Sequence, residues 1–117
     1  MEITHRRLPT VDVLELSGRM MAGEAAQLRE QIEQLFSEGR SRVLLDLSKL
    51  EYISSGGLRV LVEARKRARE QKASRSSPAG DVRILHLPPE IKRVFDMTGV
   101  TTLFHVHDDL VEAVGSF

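Results

Sequence analysis

A chain of 117 residues, 41% hydrophobic and 29% charged, supports one soluble domain with one modest core. Lysine plus arginine equals aspartate plus glutamate at 17 each, which removes the electrostatic reason to expect a nucleic-acid partner. Without cysteine there are no disulfides, thiolate metal sites or cysteine nucleophiles, and with no signal-like apolar region or run near the roughly 20 residues of a membrane span, a cytoplasmic location without membrane insertion is expected.

In chain order, residues 2–8 are short and polar and suit an edge strand or a ragged terminus; Pro9 is tolerated at an edge but not inside a ladder. Residues 10–16 alternate through Val11, Val13 and Leu16, and Ser17-Gly18 is expected to end that strand in a turn. Residues 19–22 then form a loop holding Met20 and Met21. Helical spacing follows over 23–37, with Ala26, Leu28, Ile32 and Leu35 as the apolar positions and Gly39 as the stop.

Val43, Leu44, Leu45 and Leu47 make a run too short for a helix and compatible with a strand buried on both faces, with Asp46 near its end. From Leu58 the period becomes helical, Leu58, Leu61, Val62, Arg65 and Ala68 sharing a stripe. Between the two periods lie Ser54, Ser55, Gly56 and Gly57. A polar strand-to-helix junction of this kind is where open α/β sheets place binding sites. Residues 72–80, KASRSSPAG, read as a mobile surface loop inside a single domain spanning 1–117.

Residues 81–87 resume an apolar strand that Pro88-Pro89 stop. A short helix over 90–98 is expected to turn Ile91, Val94, Phe95 and Met97 inward and to close near Gly99; 100–106 suit a last strand and 108–114 a last helix. Strands coupled through helices to further strands, joined by right-handed crossovers, give a largely parallel α/β sheet.

Either Ser54 or Ser55 can cap the following helix, because a serine oxygen accepts from the unpaired N–H groups of the first turn. The same free donors and the positive end of the helix dipole would accommodate a phosphate on either serine, adding about two negative charges to that surface. Asp46 is expected to support the loop by accepting backbone hydrogen bonds. SSGG is neither a phosphate-binding P-loop nor a nucleophile elbow. His5, His86, His105 and His107 are too scattered for a metal signature, so neither metal nor cofactor is expected. An enzyme with Ser55 as nucleophile would have only His86 to offer as a base, and a non-enzymatic module is the expectation. Residues 65–69 form a basic run on a helix that also carries Glu63 and Glu70, a solvated face.

Three stretches carry a resemblance. DLSKLEYISSGGLRVLVEARK (46–66), LPPEIKRVFDMTGVTTLFHVHDDLVEAV (87–114) and VLELSGRM (13–20) together resemble, in order and over nearly the whole chain, STAS domains of the bacterial anti-sigma factor antagonist group. The resemblance implies a mixed five-stranded sheet with about four helices. It also implies a partner: an anti-sigma factor of histidine-kinase-like ATPase fold that phosphorylates one serine at the start of the central helix, with a PP2C-type phosphatase reversing the mark. By position that serine is Ser55, with Ser54 one residue out of register. Ser54 stands where the family usually has Asp and Gly56 where it often has Ser, Thr or Ala, while Gly57 and Leu58 match. Met20, Met21, Ser54, Ser55, Gly56, Gly57 and Leu58 would form the binding surface. A STAS subunit in a signalling scaffold or lipid-transport complex, without regulated phosphorylation, is the alternative; homodimerisation is left open.

Overall fold

The computed structural model describes residues 1–71 and 79–117. The chain runs β1 (Glu2–Arg7), β2 (Asp12–Met20), α1 (Ala22–Ser37), β3 (Arg42–Ile53), α2 (Ser55–Arg69), β4 (Asp81–Leu85), α3 (Pro89–Met97), a 3₁₀ turn (Val100–Leu103), β5 (Val106–His107) and α4 (Leu110–Gly115). Most of the segment expected to be a mobile loop, 72–78, lies outside the described residues.

The sheet order follows the chain, β1-β2-β3-β4-β5, with β1 antiparallel to β2 and the other pairs parallel. Because side chains alternate across a strand, each of β2, β3 and β4 feeds two cores. Leu14, Leu16, Val43, Leu45, Val82 and Ile84 point toward α1, α2 and α3 and join the main core with Leu28, Ile32, Leu61 and Phe95. Val13, Leu44 and Leu85 point the other way and meet α4 through Ala113, with Leu110 and Val114 packed alongside. The central strands are buried on both faces, which is why their sequences are continuous apolar runs.

Two strands outrun their expected ends. β2 continues through Ser17-Gly18 to Met20, with Gly18 in the left-handed region at φ +94°. β3 takes in the KLEYI segment by inserting two extra residues against β2, between the Glu15 and Ser17 pairings and between those of Gly18 and Arg19. Each irregularity shifts the alternation by one, so Leu47, Leu50 and Ile53, spaced by three, all reach the main core.

Three other expectations are corrected. In α1, Ala25 rather than Ala26 is buried. Met97 is 81% exposed, beyond the last inward turn of α3. The last strand shrinks to two residues, because Thr101 donates to Asp96 at 2.5 Å and Thr102 to the Gly99 carbonyl at 3.1 Å, holding the segment in a 3₁₀ turn.

The end of the sheet remote from Ser54 is held by one carboxylate. Asp12 is fully buried and accepts from His5 Nε2 at 2.7 Å and Arg40 Nε at 2.7 Å. Arg40 is aimed there by the end of α1. Gly39 at φ +78° lets Arg40 N–H bond Leu35 O and its own N–H bond Phe36 O, the reciprocal pair of a Schellman stop. The remaining Arg40 nitrogens donate to the carbonyls of Pro9 and Leu8, closing the β1–β2 turn over the helix end.

Burial alone would raise the Asp12 pKa, but the hydrogen bonds from Arg40 and His5 outweigh it and hold the carboxyl below its ordinary value. A depressed folded-state pKa contributes stability that is present above the unfolded carboxylate range and lost as pH falls through the folded value. Asp12→Asn should therefore cost about 3 kcal/mol at neutral pH, the lower end for a buried pair because Arg40 retains some solvent. Urea denaturation at neutral and acid pH should show the gap between wild type and variant closing as pH falls.

Candidate functional site

The junction between β3 and α2 is built by three contacts. The Ser54 N–H donates to the Met20 carbonyl at 2.9 Å, tying the end of β3 to the end of β2. Ser54 is the N-cap in extended conformation, and its Oγ accepts from Gly57 N–H at 3.1 Å. Leu58 N–H then closes the first helical turn on Ser54 O at 3.0 Å. The two serines thus divide the roles that the sequence left shared. Ser54 spends its hydroxyl oxygen on the helix, and Ser55, the first helical residue, is exposed.

The two glycines differ just as sharply. A methyl group on Gly57 would stand 2.8 Å from Ile53 Cγ1 and 2.9 Å from Met20 Sδ, distances that real side chains do not tolerate. On Gly56 it would meet only Ser54 Oγ at 3.8 Å, an ordinary contact. Gly57 is therefore a packing requirement, while Gly56 is open to substitution.

Not every expected surface residue lies on the surface. Met20 is fully buried beneath Gly57, and Gly57 and Leu58 are buried with it, so these three seat the helix. Met21, 45% exposed, is the N-cap of α1, whose first turn is closed by Glu24 accepting from Met21 N–H at 2.9 Å. The sequence reading missed Arg19 and Tyr52. They are register partners at the ends of β2 and β3, and the Arg19 guanidinium lies 4.6 Å from the centre of the Tyr52 ring. The available signal was Tyr52 itself, the only tyrosine, three residues before Ser55.

Asp46 sits inside β3, paired with Glu15 and Leu85, and accepts from Ser48 N–H at 3.0 Å; it braces the first irregularity of the strand and not the serine loop. His86, in the left-handed region at φ +55°, lines a depression of about 210 Å³ with Arg6, Glu15 and Asp46. Ser55 is not among the residues lining that depression, so the two groups an enzyme would need are not brought together there. Among the described residues no group of three or more acidic or histidine side chains could hold a metal, and no helix is long and apolar enough to cross a membrane.

A family model for the STAS domain matches residues 2–113. The chain belongs to the STAS domain family. BtrV of Bordetella bronchiseptica, a candidate anti-sigma factor antagonist, is 29% identical over 117 residues, covering 100% of this chain and 95% of its own length. Among solved structures, a candidate anti-sigma factor antagonist from Thermotoga maritima superposes with a TM-score of 0.84 at 18% identity, over 97% of this chain and 92% of that one. The Bacillus cell fate determinant SpoIIAA in its phosphorylated form superposes with a TM-score of 0.74 at 16% identity, over 98% of both chains. At such identities the superpositions speak for the fold: the STAS sheet and its four helices.

The contrast between the glycines of this STAS domain is measurable. Gly57→Ala should cost about 1–3 kcal/mol through overpacking against Met20 and Ile53. Gly56→Ala should leave stability unchanged or raise it by up to about 1 kcal/mol through helix propensity. Ser54→Ala should cost about 1 kcal/mol as a lost cap. Thermal denaturation of the three variants beside wild type gives the ranking.

Proposed function

We propose that this STAS domain is a cytoplasmic anti-sigma factor antagonist. It binds an anti-sigma factor that is also a serine kinase of histidine-kinase-like ATPase fold and so frees the sigma factor. The kinase moves the γ-phosphoryl group of ATP to Ser55 Oγ, ADP leaves, and the complex weakens until a PP2C-type phosphatase hydrolyses the phosphoserine. The observation that carries this reading is the division of labour between the serines: with Ser54 capping α2, the exposed Ser55 hydroxyl can be modified without undoing the helix start.

Electrostatics supports the same residue. The first turn of α2 holds no acidic side chain, so its free N–H groups and dipole would tolerate a phosphate on the chain itself. The penalty falls on the complex, where a doubly charged group would have to lose water against a partner surface, at a cost of roughly 2–5 kcal/mol when left unpaired. Met21, Ser54, Ser55, Gly56 and the Arg19–Tyr52 pair are the residues offered to the partner; exposed Tyr, Arg and Met are the types that dominate interface cores.

The test is incubation with the cognate kinase and ATP, peptide mass spectrometry, and titration calorimetry of variants. One phosphate on Ser55 is expected. Ser55→Asp should weaken the complex about tenfold or more and Ser55→Ala less than about threefold, with neither lowering thermal stability. Equal affinities for the two variants would remove the switch from Ser55, and an absent complex would remove the partner class.

A further inference from the structure

The sheet begins at β1, which pairs only with β2 among the described residues and leaves its outer edge without a strand. Such an edge is a template for another chain unless something blunts it. The phase of the ladder says which groups it presents. The Leu8 N–H bonds Val11 O at 2.9 Å, so the Leu8–Val11 pair is a hydrogen-bonded one. Hydrogen-bonded and non-bonded pairs alternate along an antiparallel ladder. With the printed register, Arg6, Thr4 and Glu2 turn their backbone groups toward Val13, Glu15 and Ser17, and Arg7, His5 and Ile3 turn theirs outward.

We infer that β1 is a homodimer interface, pairing antiparallel with β1 of a second copy about a two-fold axis through Thr4, so that the sheets join edge to edge. Only registers that match outward groups with outward groups are allowed, so the axis falls on a residue and not between residues. About Thr4, Ile3 exchanges both backbone bonds with His5 of the second copy and His5 with its Ile3. Glu2 then stands opposite Arg6 of the second copy, Arg6 opposite its Glu2, and Thr4 opposite Thr4. These are non-bonded pairs, where side chains come closest, and opposite charges and Thr–Thr are favourable cross-strand neighbours. About His5, the two histidines would face each other, Thr4 would meet Arg6 and Ile3 would meet Arg7, with no opposite charges aligned. About Ile3, the overlap shortens and Glu2 faces Thr4.

The charges also sort correctly within the chain. Arg7 is engaged by Glu38 and His5 by Asp12, whereas Glu2 and Arg6 are exposed and belong to no ion pair within 4.0 Å among the described residues. At the opposite edge β5 offers only two residues, too few for a comparable ladder. Because β2 separates β1 from β3, pairing along β1 leaves both Ser55 junctions uncovered, and the dimer presents two of them.

Analytical ultracentrifugation at low ionic strength over a micromolar to millimolar concentration series tests this, with circular dichroism confirming that each variant is folded. Wild type should dimerise with rising concentration. Glu2→Arg and Arg6→Glu should each raise the dissociation constant about tenfold or more, and the double swap should return it to within about threefold of wild type. Ile3→Pro, which removes an outward N–H and no β1–β2 bond, should be monomeric. Amide exchange of Ile3 and His5 should slow with concentration while that of Thr4 and Arg6 does not change. A wild type that stays monomeric throughout, a dimer indifferent to these substitutions, or single-variant losses that the double swap does not repair would overturn the interface.

Discussion

The start of α2 can lie where it does only because Gly57 lacks a side chain. Met20 and Ile53, the last residues of two neighbouring strands, fill the space that a Cβ would need. The same strand ends hold Ser54 by its backbone, so the helix is fixed in position by packing from below and in direction by its cap. Ser55 inherits its exposure from this arrangement: once Gly57 faces the core, a residue two positions earlier on the helix points away from it. A residue with no structural task of its own is thereby placed at a helix start, where negative charge is favoured.

The opposite end of the sheet solves a different problem. β1 is short and mostly exposed, and a two-stranded ribbon with one wet face is marginal by itself. Asp12 compensates by gathering the edge strand, the β1–β2 turn and the end of α1 around one buried carboxylate through His5 and Arg40. Since both partners donate to it, the charge is satisfied and the cost of its burial is opposed by those hydrogen bonds. This clamp occupies the helix-side charges of β1, while Glu2 and Arg6 on the strand's other face form no ion pair within 4.0 Å among the described residues.

Much of this was legible in the sequence, and what was not has physical causes. The apolar run at Val43–Leu47, the change of period at Leu58 and the serine-glycine junction between them identified the central strand, the helix and the turn that joins them. Strand lengths were misjudged where a local signal was overruled by tertiary pairing: Ser17-Gly18 reads as a turn, yet Ser17 pairs with β1 and β3 and Gly18 with β3, which keeps both in the ladder. KLEYI has no strand period because two insertions break it. The last strand failed for the converse reason, threonine hydroxyls bonding locally where alternation alone suggested a ladder. Of the expected binding surface, Met20 could not be told from Met21 by residue type. Only the β2–β3 register decides which methionine is seat and which is surface.

That register also bears on how a mark on Ser55 would be read. A phosphate at the first position of a capped helix meets backbone donors and does not have to displace a core residue, since Gly57, Met20 and Ile53 are packed on the other side. Its effect on folding would be small or favourable, and its effect on association would be large, because solvent that stabilises the charge on the free domain is lost in a complex. A switch of the proposed kind would need no conformational change in the domain that carries it. It would require only a well-defined junction that presents the same surface with and without the charge. The Ser54 bond to the Met20 carbonyl and the space that Met20 and Ile53 leave at Gly57 define that junction, and they make Gly57 the more constrained of its two glycines.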